Sequence, residues 1–278
     1  MGLMSARSHL YVPGDAPEKL AKALGRGADA LIVDLEDAVP PAGKDAAREA
    51  VAGWLRTADP GPVEIWVRVN PGDLRAADVR AVAAVPALAG LVLAKVETAD
   101  ELAETDALLT SLGADTLPVV PLLESAAAVL RAPEIAAAPR VARLQVGEAD
   151  LRADTGITLG PDERELLWVR SQVVLASAAA GIDPPVAPVS TDFRDLDALR
   201  ESTLALARLG YVGRACVHPA QIAVVNEVFT PAAEEVARAR DLVDRFETSG
   251  AGVLLDSAGR MVDEAIVRQA RRILRRAR

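Results

Sequence analysis

Short apolar runs rich in β-branched residues alternate along the chain with longer stretches of alanine, leucine and charge. The runs fall at 9–12, 30–33, 64–69, 90–93, 117–123, 142–146, 184–189 and 214–217. They are continuous in apolar character rather than alternating, which is the pattern of parallel strands buried on both faces. The stretches between them read as helices; 17–25 opens on Pro17 and closes on Gly25, and 161–180 opens on Pro161. Eight β/α alternations in roughly 230 residues, with no linker or low-complexity tract, predict an α/β fold: a (β/α)8 TIM barrel over residues 1–230. The run at 184–189 is the poorest strand of the eight, because it contains Pro184, Pro185 and Pro188. Residues 231–278 read as a C-terminal helical extension, with a helix at 231–247, a turn at 250–252, a short strand at 253–255 and a basic helix at 264–276. A barrel closes without this extension, which is therefore expected to pack on one end or to reach a neighbouring subunit.

Barrel enzymes carry their reactive groups at the C-terminal ends of strands, and five successive runs here end in charge. They run into Asp34-Leu35-Glu36-Asp37, Arg68-Val69-Asn70, Lys95-Val96-Glu97, Glu124-Ser125 and Gly147-Glu148-Ala149-Asp150. A single acid after a strand is ordinarily a helix cap or a solvated loop residue; charge at five strand ends in succession, four of them acidic, weakens that explanation. Glu124 and Asp150 follow adjacent strands, so their carboxylates either converge as ligands for Mg2+, which prefers oxygen donors and keeps part of its water, or one caps a helix and the other pairs with Arg68. Arg68 lies inside an apolar run and needs partners there. It grips a substrate carboxylate with two parallel hydrogen bonds, forms a salt bridge to Glu36 or Asp37, or does both. His218 reads as a hydrogen-bonded wall residue more readily than as a general base, Cys216 as a small core residue, and Lys44 with Arg48 as a solvated cationic pair. Asp263, taken alone, reads as the N-cap of the last helix.

Composition narrows the chemistry. The 278 residues include 31 Lys+Arg and 40 Asp+Glu, a net charge of −9, with 3% aromatic residues. There is no broad basic surface and little to stack bases on, so nucleic acid is not an expected partner. Two histidines and one cysteine leave no internal disulfide and no Cys- or His-rich zinc site. The uncharged stretch 81–94 is 14 residues long and holds Pro86 and Gly90, short of the roughly 20 needed to span a bilayer. Residues 1–7 lack the apolar run of a signal peptide, so a cytoplasmic protein is expected.

The motifs together resemble the citrate lyase β-subunit-like family of the HpcH/HpaI aldolase superfamily. The likeness begins with Arg7-Ser8-His9-Leu10-Tyr11-Val12-Pro13-Gly14 and with Asp34-Leu35-Glu36-Asp37-Ala38-Val39 followed by Lys44 and Ala47-Arg48. It continues through Arg68-Val69-Asn70, Lys95-Val96-Glu97, Leu123-Glu124, Gly147-Glu148-Ala149-Asp150-Leu151 and Val217-His218-Pro219-Ala220-Gln221-Ile222. It ends with Phe229-Thr230-Pro231 and Gly259-Arg260-Met261-Val262-Asp263. Each motif is weak alone; the ordered set covers nearly the whole chain.

The resemblance implies a Mg2+-dependent barrel, commonly a homotrimer, that makes or breaks the carbon–carbon bond next to an acyl-CoA or acyl-carrier thioester. By the same resemblance Glu124 and Asp150 hold the metal, Arg68 and Glu124 meet the substrate, and Asp263 enters a neighbour's site to move a proton. Glu36 and Asp37 complete the catalytic set by orienting Arg68 or metal-bound water. Lys95, among carboxylates, is expected to stay protonated, so no Schiff base is required. The expected function is cleavage or formation of a 3-hydroxyacyl-CoA such as malyl-, citramalyl- or citryl-CoA, giving an acetyl-CoA-type thioester and a small oxo-acid. The alternatives are the β subunit of a citrate lyase complex acting on a citryl-acyl carrier, thioester hydrolysis, and a non-catalytic CoA-binding scaffold. Three departures from the family pattern stand out: Ala94 where a proline is common, Ala128 where glycine is frequent, and Ala187-Pro188 where many relatives carry an aspartate. Ala187 is expected to alter the pocket wall.

Overall fold

The computed structural model describes residues 6–250, 252–256 and 259–277. Met1–Ser5 of the expected N-terminal stretch and Ala251 of the expected turn lie outside them. The chain divides into two compact units, one spanning 6–226 and the other beginning at Glu227.

The larger unit is built on seven parallel strands: β1 (Ser8–Pro13), β2 (Ala30–Asp34), β3 (Glu64–Val69), β4 (Gly90–Leu93), β5 (Val119–Leu123), β6 (Gln145–Val146) and β7 (Arg214–Cys216). They pair in the order β6-β5-β4-β3-β2-β1-β7. Burial on both faces explains the continuous apolar runs. One face carries Ala30, Ile32, Trp66, Val92, Val120 and Leu122, which form a single cluster. The alternate positions Leu31, Val33, Ile65, Val67, Leu91 and Leu93 are fully buried as well, under the helices that connect the strands. Helix Lys44–Thr57 turns Ala47, Val51, Ala52 and Leu55 inward. Helix Ala99–Ser111 starts at a Thr98/Glu101 capping box, each side chain satisfying the other's backbone N–H.

The seventh expected strand, at 184–189, does not form a ladder. Its prolines remove the backbone donors that a ladder needs. Pairing survives as two single-residue parallel bridges, Gln145 with Val186 and Ala187 with Arg214, so this segment links β6 to β7 without being a strand. Ala187 is fully buried against Leu206 and Tyr211.

In the smaller unit, helix Ala233–Ser249 packs on helix Glu264–Arg276 through Ala239, Val243, Val267 and Ala270. Between them lies an antiparallel pair, β8 (Val253–Leu255) and β9 (Met261–Asp263). Among the described residues, no helix is long and apolar enough to cross a membrane.

Gly90 opens β4 directly beneath the Trp66 ring. A methyl group there would overlap the ring and approach the Pro118 carbonyl oxygen to 2.8 Å. Gly90→Ala is therefore expected to lower stability by about 1–3 kcal/mol, read from denaturant unfolding; an unchanged midpoint would show that the Trp66 layer yields freely.

Candidate active site

Strand period places Trp66 and Arg68 of β3 on the same face, the face of the interior cluster. A guanidinium there is desolvated and must be neutralised. Register supplies the partner, because Asp34 of β2 lies opposite Arg68. Arg68 Nε and Nη2 donate to the two Asp34 oxygens at 2.7 and 2.6 Å, while Nη1 lies 3.0 Å from Glu36 and 3.5 Å from Asp37. Its carbon sits 5.0 Å from the centroid of the Tyr11 ring. Burial opposes the charge, but Asp34 outweighs it and the guanidinium pKa is raised.

Asp34 also shapes the loop that follows it, since it accepts from the Glu36 and Ala38 backbone N–H groups at 2.9 and 3.1 Å. Lys44 Nζ donates to the Leu35 and Glu36 carbonyls at 2.8 and 2.6 Å. Asn70 donates to the Leu35 carbonyl and to Asp78, and Arg48 donates to Asp78 in turn. Lys44 and Arg48 are thus not a solvated pair: both brace the acidic loop, one directly and one through Asp78 and Asn70.

Lys95, just past β4, has a left-handed backbone with φ 52°, a strained state for a non-glycine residue at a cost of order 1 kcal/mol. Its ammonium hydrogen-bonds Glu36 and lies 3.6 Å from Asp37 and 3.5 Å from Glu124. Burial works against that charge, yet the hydrogen bond to Glu36 and the other carboxylates raise its pKa, which suits a permanently protonated lysine. Burial raises the Glu36 carboxyl against the pull of Lys95 and Arg68. For Asp37, burial is outweighed by its bond with Glu36 and by the two cations, and the carboxyl is held low.

Glu124 differs from these acids. It is buried at the end of β5, and neither carboxylate oxygen accepts a hydrogen bond from the described residues. Burial pushes its pKa up to about 8, opposed by Lys95 and reinforced by the neighbouring carboxyl of Asp150. Asp150 stands in the first turn of helix Glu148–Thr155. The approach requires Gly147, where a Cβ would lie 2.5 Å from Glu124 Cγ. Glu148 is already neutralised, by two hydrogen bonds from Arg170 at 2.7 and 2.8 Å.

Of these side chains, Asp34, Asp37, Arg68, Glu124, Glu148 and Asp150 line a cavity of about 410 Å³ together with Tyr11, Leu122 and Gln145, while Glu36 and Lys95 are not among its lining residues. Ala187 is not among its lining residues; its side chain faces the Leu206–Tyr211 cluster, so it does not alter the pocket wall directly. His218 stacks on Phe193, with centroids 4.6 Å apart, and its Nδ1 accepts from the Ala220 N–H. Burial pushes the Cys216 thiol up to about 12, so it is a core residue and no nucleophile. Asp263 belongs to the other unit, where its carboxylate caps the last helix by accepting from Ala265 and Ile266.

Among the described residues, no group of three His, Cys, Asp or Glu is arranged to hold a metal. Glu124 and Asp150 nevertheless fit a hard divalent cation: they are paired oxygen donors, and one of them is buried with unsatisfied lone pairs. Two carboxylates suffice for an ion that keeps water and substrate oxygens as its other ligands.

Residues 7–219 match the model of one protein family, HpcH/HpaI aldolase/citrate lyase. The chain belongs to this family. Within and around it, the chain is 33% identical to the citrate lyase subunit beta of Leuconostoc mesenteroides subsp. cremoris, over 98% of this chain and 93% of that one. It is 35% identical to a (3S)-malyl-CoA thioesterase of Cereibacter sphaeroides strain KD131, over 98% and 94%. Among solved structures it resembles the CitE protein of Mycobacterium tuberculosis in complex with magnesium, acetoacetate and coenzyme A. The TM-score is 0.78 and the identity 32%, covering 98% of each chain.

The raised Glu124 carboxyl makes a pH prediction. Its folded-state pKa of about 8 exceeds the ordinary 4.5, so the native state holds the proton more tightly than the unfolded chain. The resulting stabilisation is complete below about pH 4.5 and is lost as pH rises through about 8. In EDTA, native stability relative to the Glu124→Gln variant is expected to fall between about pH 5 and about pH 8, measured by denaturant unfolding. Parallel pH profiles would contradict the burial of this charge. Asp34→Asn, which leaves Arg68 buried without its main partner, is expected to cost about 3–5 kcal/mol in the same assay.

Proposed function

We propose that this protein is a Mg2+-dependent carbon–carbon lyase that cleaves, and in reverse forms, a 3-hydroxyacyl-CoA, with an acetyl-CoA-type thioester and a small oxo-acid as products. The observation that carries this reading is the buried, unbonded carboxylate of Glu124 beside Asp150, across one cavity from Arg68, in a family whose CitE member is described with magnesium and coenzyme A. We assign Glu124 and Asp150 as the residues that hold the ion and, with Arg68, meet the substrate acid. Magnesium, when bound, supplies Lewis-acid polarisation of the oxo-acid oxygens.

The protein's own residues would do the rest. Arg68, held flat by Asp34, presents hydrogen-bond donors to the substrate carboxylate and stabilises the charge that develops at the breaking bond. That bond joins the carbinol carbon to the carbon next to the thioester; its electron pair moves to the latter as the enolate, and the carbinol hydroxyl gives its proton to solvent water. Glu36 and Asp37 orient Arg68 and, with Lys95, set the charge of the cavity mouth. Asp263 returns a proton to the acetyl carbon, acting from the tail of a neighbouring subunit in a homotrimer. Supporting that reading, Asp263 shares one face of the β8–β9 pair with Val253, Leu255 and Met261, all exposed. We further propose that 186–187 is the eighth member of a closed (β/α)8 barrel, and that the enzyme works in the cytoplasm.

Hydrolysis of the thioester is a second reading, favoured by the likeness to the Cereibacter thioesterase; the likeness to a citrate lyase subunit favours a citryl-acyl carrier as substrate. One assay separates them. Incubation with Mg2+ and malyl-, citramalyl- or citryl-CoA is expected to yield acetyl-CoA and an oxo-acid; a free hydroxy-acid and CoA would indicate hydrolysis, and turnover of the carrier-bound form alone would indicate the subunit. EDTA, Glu124→Gln and Asp150→Asn are each expected to lower kcat/KM by about 100-fold or more. Co-expressing Glu124→Gln with Asp263→Asn is expected to restore part of the activity that each lacks alone. No recovery in verified mixed oligomers would contradict action across subunits.

A further inference from the structure

Below the charged mouth, the cavity reaches a floor that the lyase reading does not use. Gln145 opens β6 and is buried, and its apolar neighbours in the cavity lining are Leu122, Val146, Val189 and Val217, the charged residues of that lining standing nearer the strand ends. A primary amide in such surroundings is costly unless it is bonded. Its Nε2 donates to the Tyr11 hydroxyl at 3.4 Å, which joins side chains 134 residues apart in sequence. Its Oε1 takes no hydrogen bond from the described residues, and the Tyr11 hydroxyl proton has no acceptor among them. Tyr11 in turn lies under Arg68, the group assigned to the substrate carboxylate. The floor therefore offers the cavity one acceptor and one donor, both neutral, beneath the point where the oxo-acid carboxylate is gripped.

We propose that Tyr11 and Gln145 select substrates whose oxo-acid half carries a neutral hydroxyl group over those that end in a methyl. This inference rests on the lyase reading and names the substrate class within it. A hydroxyl both donates and accepts, so it satisfies Oε1 and the phenol together. A carboxylate has no proton for Oε1, and a methyl leaves both polar atoms unpaired, which is the asymmetry by which polar sites reject apolar analogues.

The test compares hydroxypyruvate with pyruvate, and with glyoxylate and oxaloacetate as further oxo-acids. Each is measured in condensation with acetyl-CoA and, separately, by calorimetric binding to the Mg2+-loaded protein. Wild type is expected to favour hydroxypyruvate over pyruvate by about 10-fold or more in both kcat/KM and affinity. Gln145→Met and Tyr11→Phe are each expected to bring that ratio towards parity. A wild-type preference for pyruvate, or a ratio unchanged in both variants, would overturn the proposal. Condensation with none of the oxo-acids would instead overturn the lyase reading, and the affinity ratios would still decide what the floor selects.

Discussion

A guanidinium in the middle of a buried strand is the constraint around which the larger unit is arranged. Arg68 occupies a position that the strand period turns inward, where an uncompensated charge would cost several kcal/mol. Asp34, opposite it in the β2–β3 register, neutralises it with two short hydrogen bonds. Because the same carboxylate accepts from two backbone N–H groups of the next turn, one ion pair fixes both the direction of the arginine and the path of residues 34–38. Lys44, Asn70, Asp78 and Arg48 then hold that path from outside.

The acids around the cavity divide by what already satisfies them. Asp34 is taken up by Arg68, Glu36 by Lys95 and Arg68, and Glu148 by Arg170. Glu124 alone of these is buried with both oxygens free of hydrogen bonds from the described residues, with the Lys95 ammonium 3.5 Å away as an ion-pair partner and Asp150 as a like-charged neighbour. Proteins keep most buried polar groups bonded, and this unsatisfied carboxylate is what supports the proposal that a cation binds there. The strained backbone at Lys95 fits the same picture, since it brings one positive charge to three carboxylates that would otherwise repel one another.

Much of this was legible in the sequence, for a reason that also explains what was not. Strands buried on both faces write themselves as continuous apolar runs, so β1 to β5 appear within a residue or two of their limits. The run at 184–189 has the same apolar character but lacks backbone donors, and its pairing shrinks to two bridges. The acidic run after β2 announced a charged rim, yet it did not reveal which acid would take Arg68. That depended on register, and the unassigned Asp34 proved to be the principal partner. Lys44 and Arg48 looked solvated because helical spacing says nothing about the loop lying under a helix. Ala187 seemed to belong to the pocket, but with no ladder around it the period could not show that it faces outward. Asp263 reads as a helix cap in sequence and caps that helix in the structure.

Glu124 and Asp150 are proposed to form a cation site that the rest of the rim does not share. Calorimetric titration of Mg2+ into EDTA-stripped protein tests it most directly. One ion is expected to bind per chain, with affinity at least about 10-fold weaker in Glu124→Gln and in Asp150→Asn. Equal magnesium affinity in wild type and both variants would contradict it.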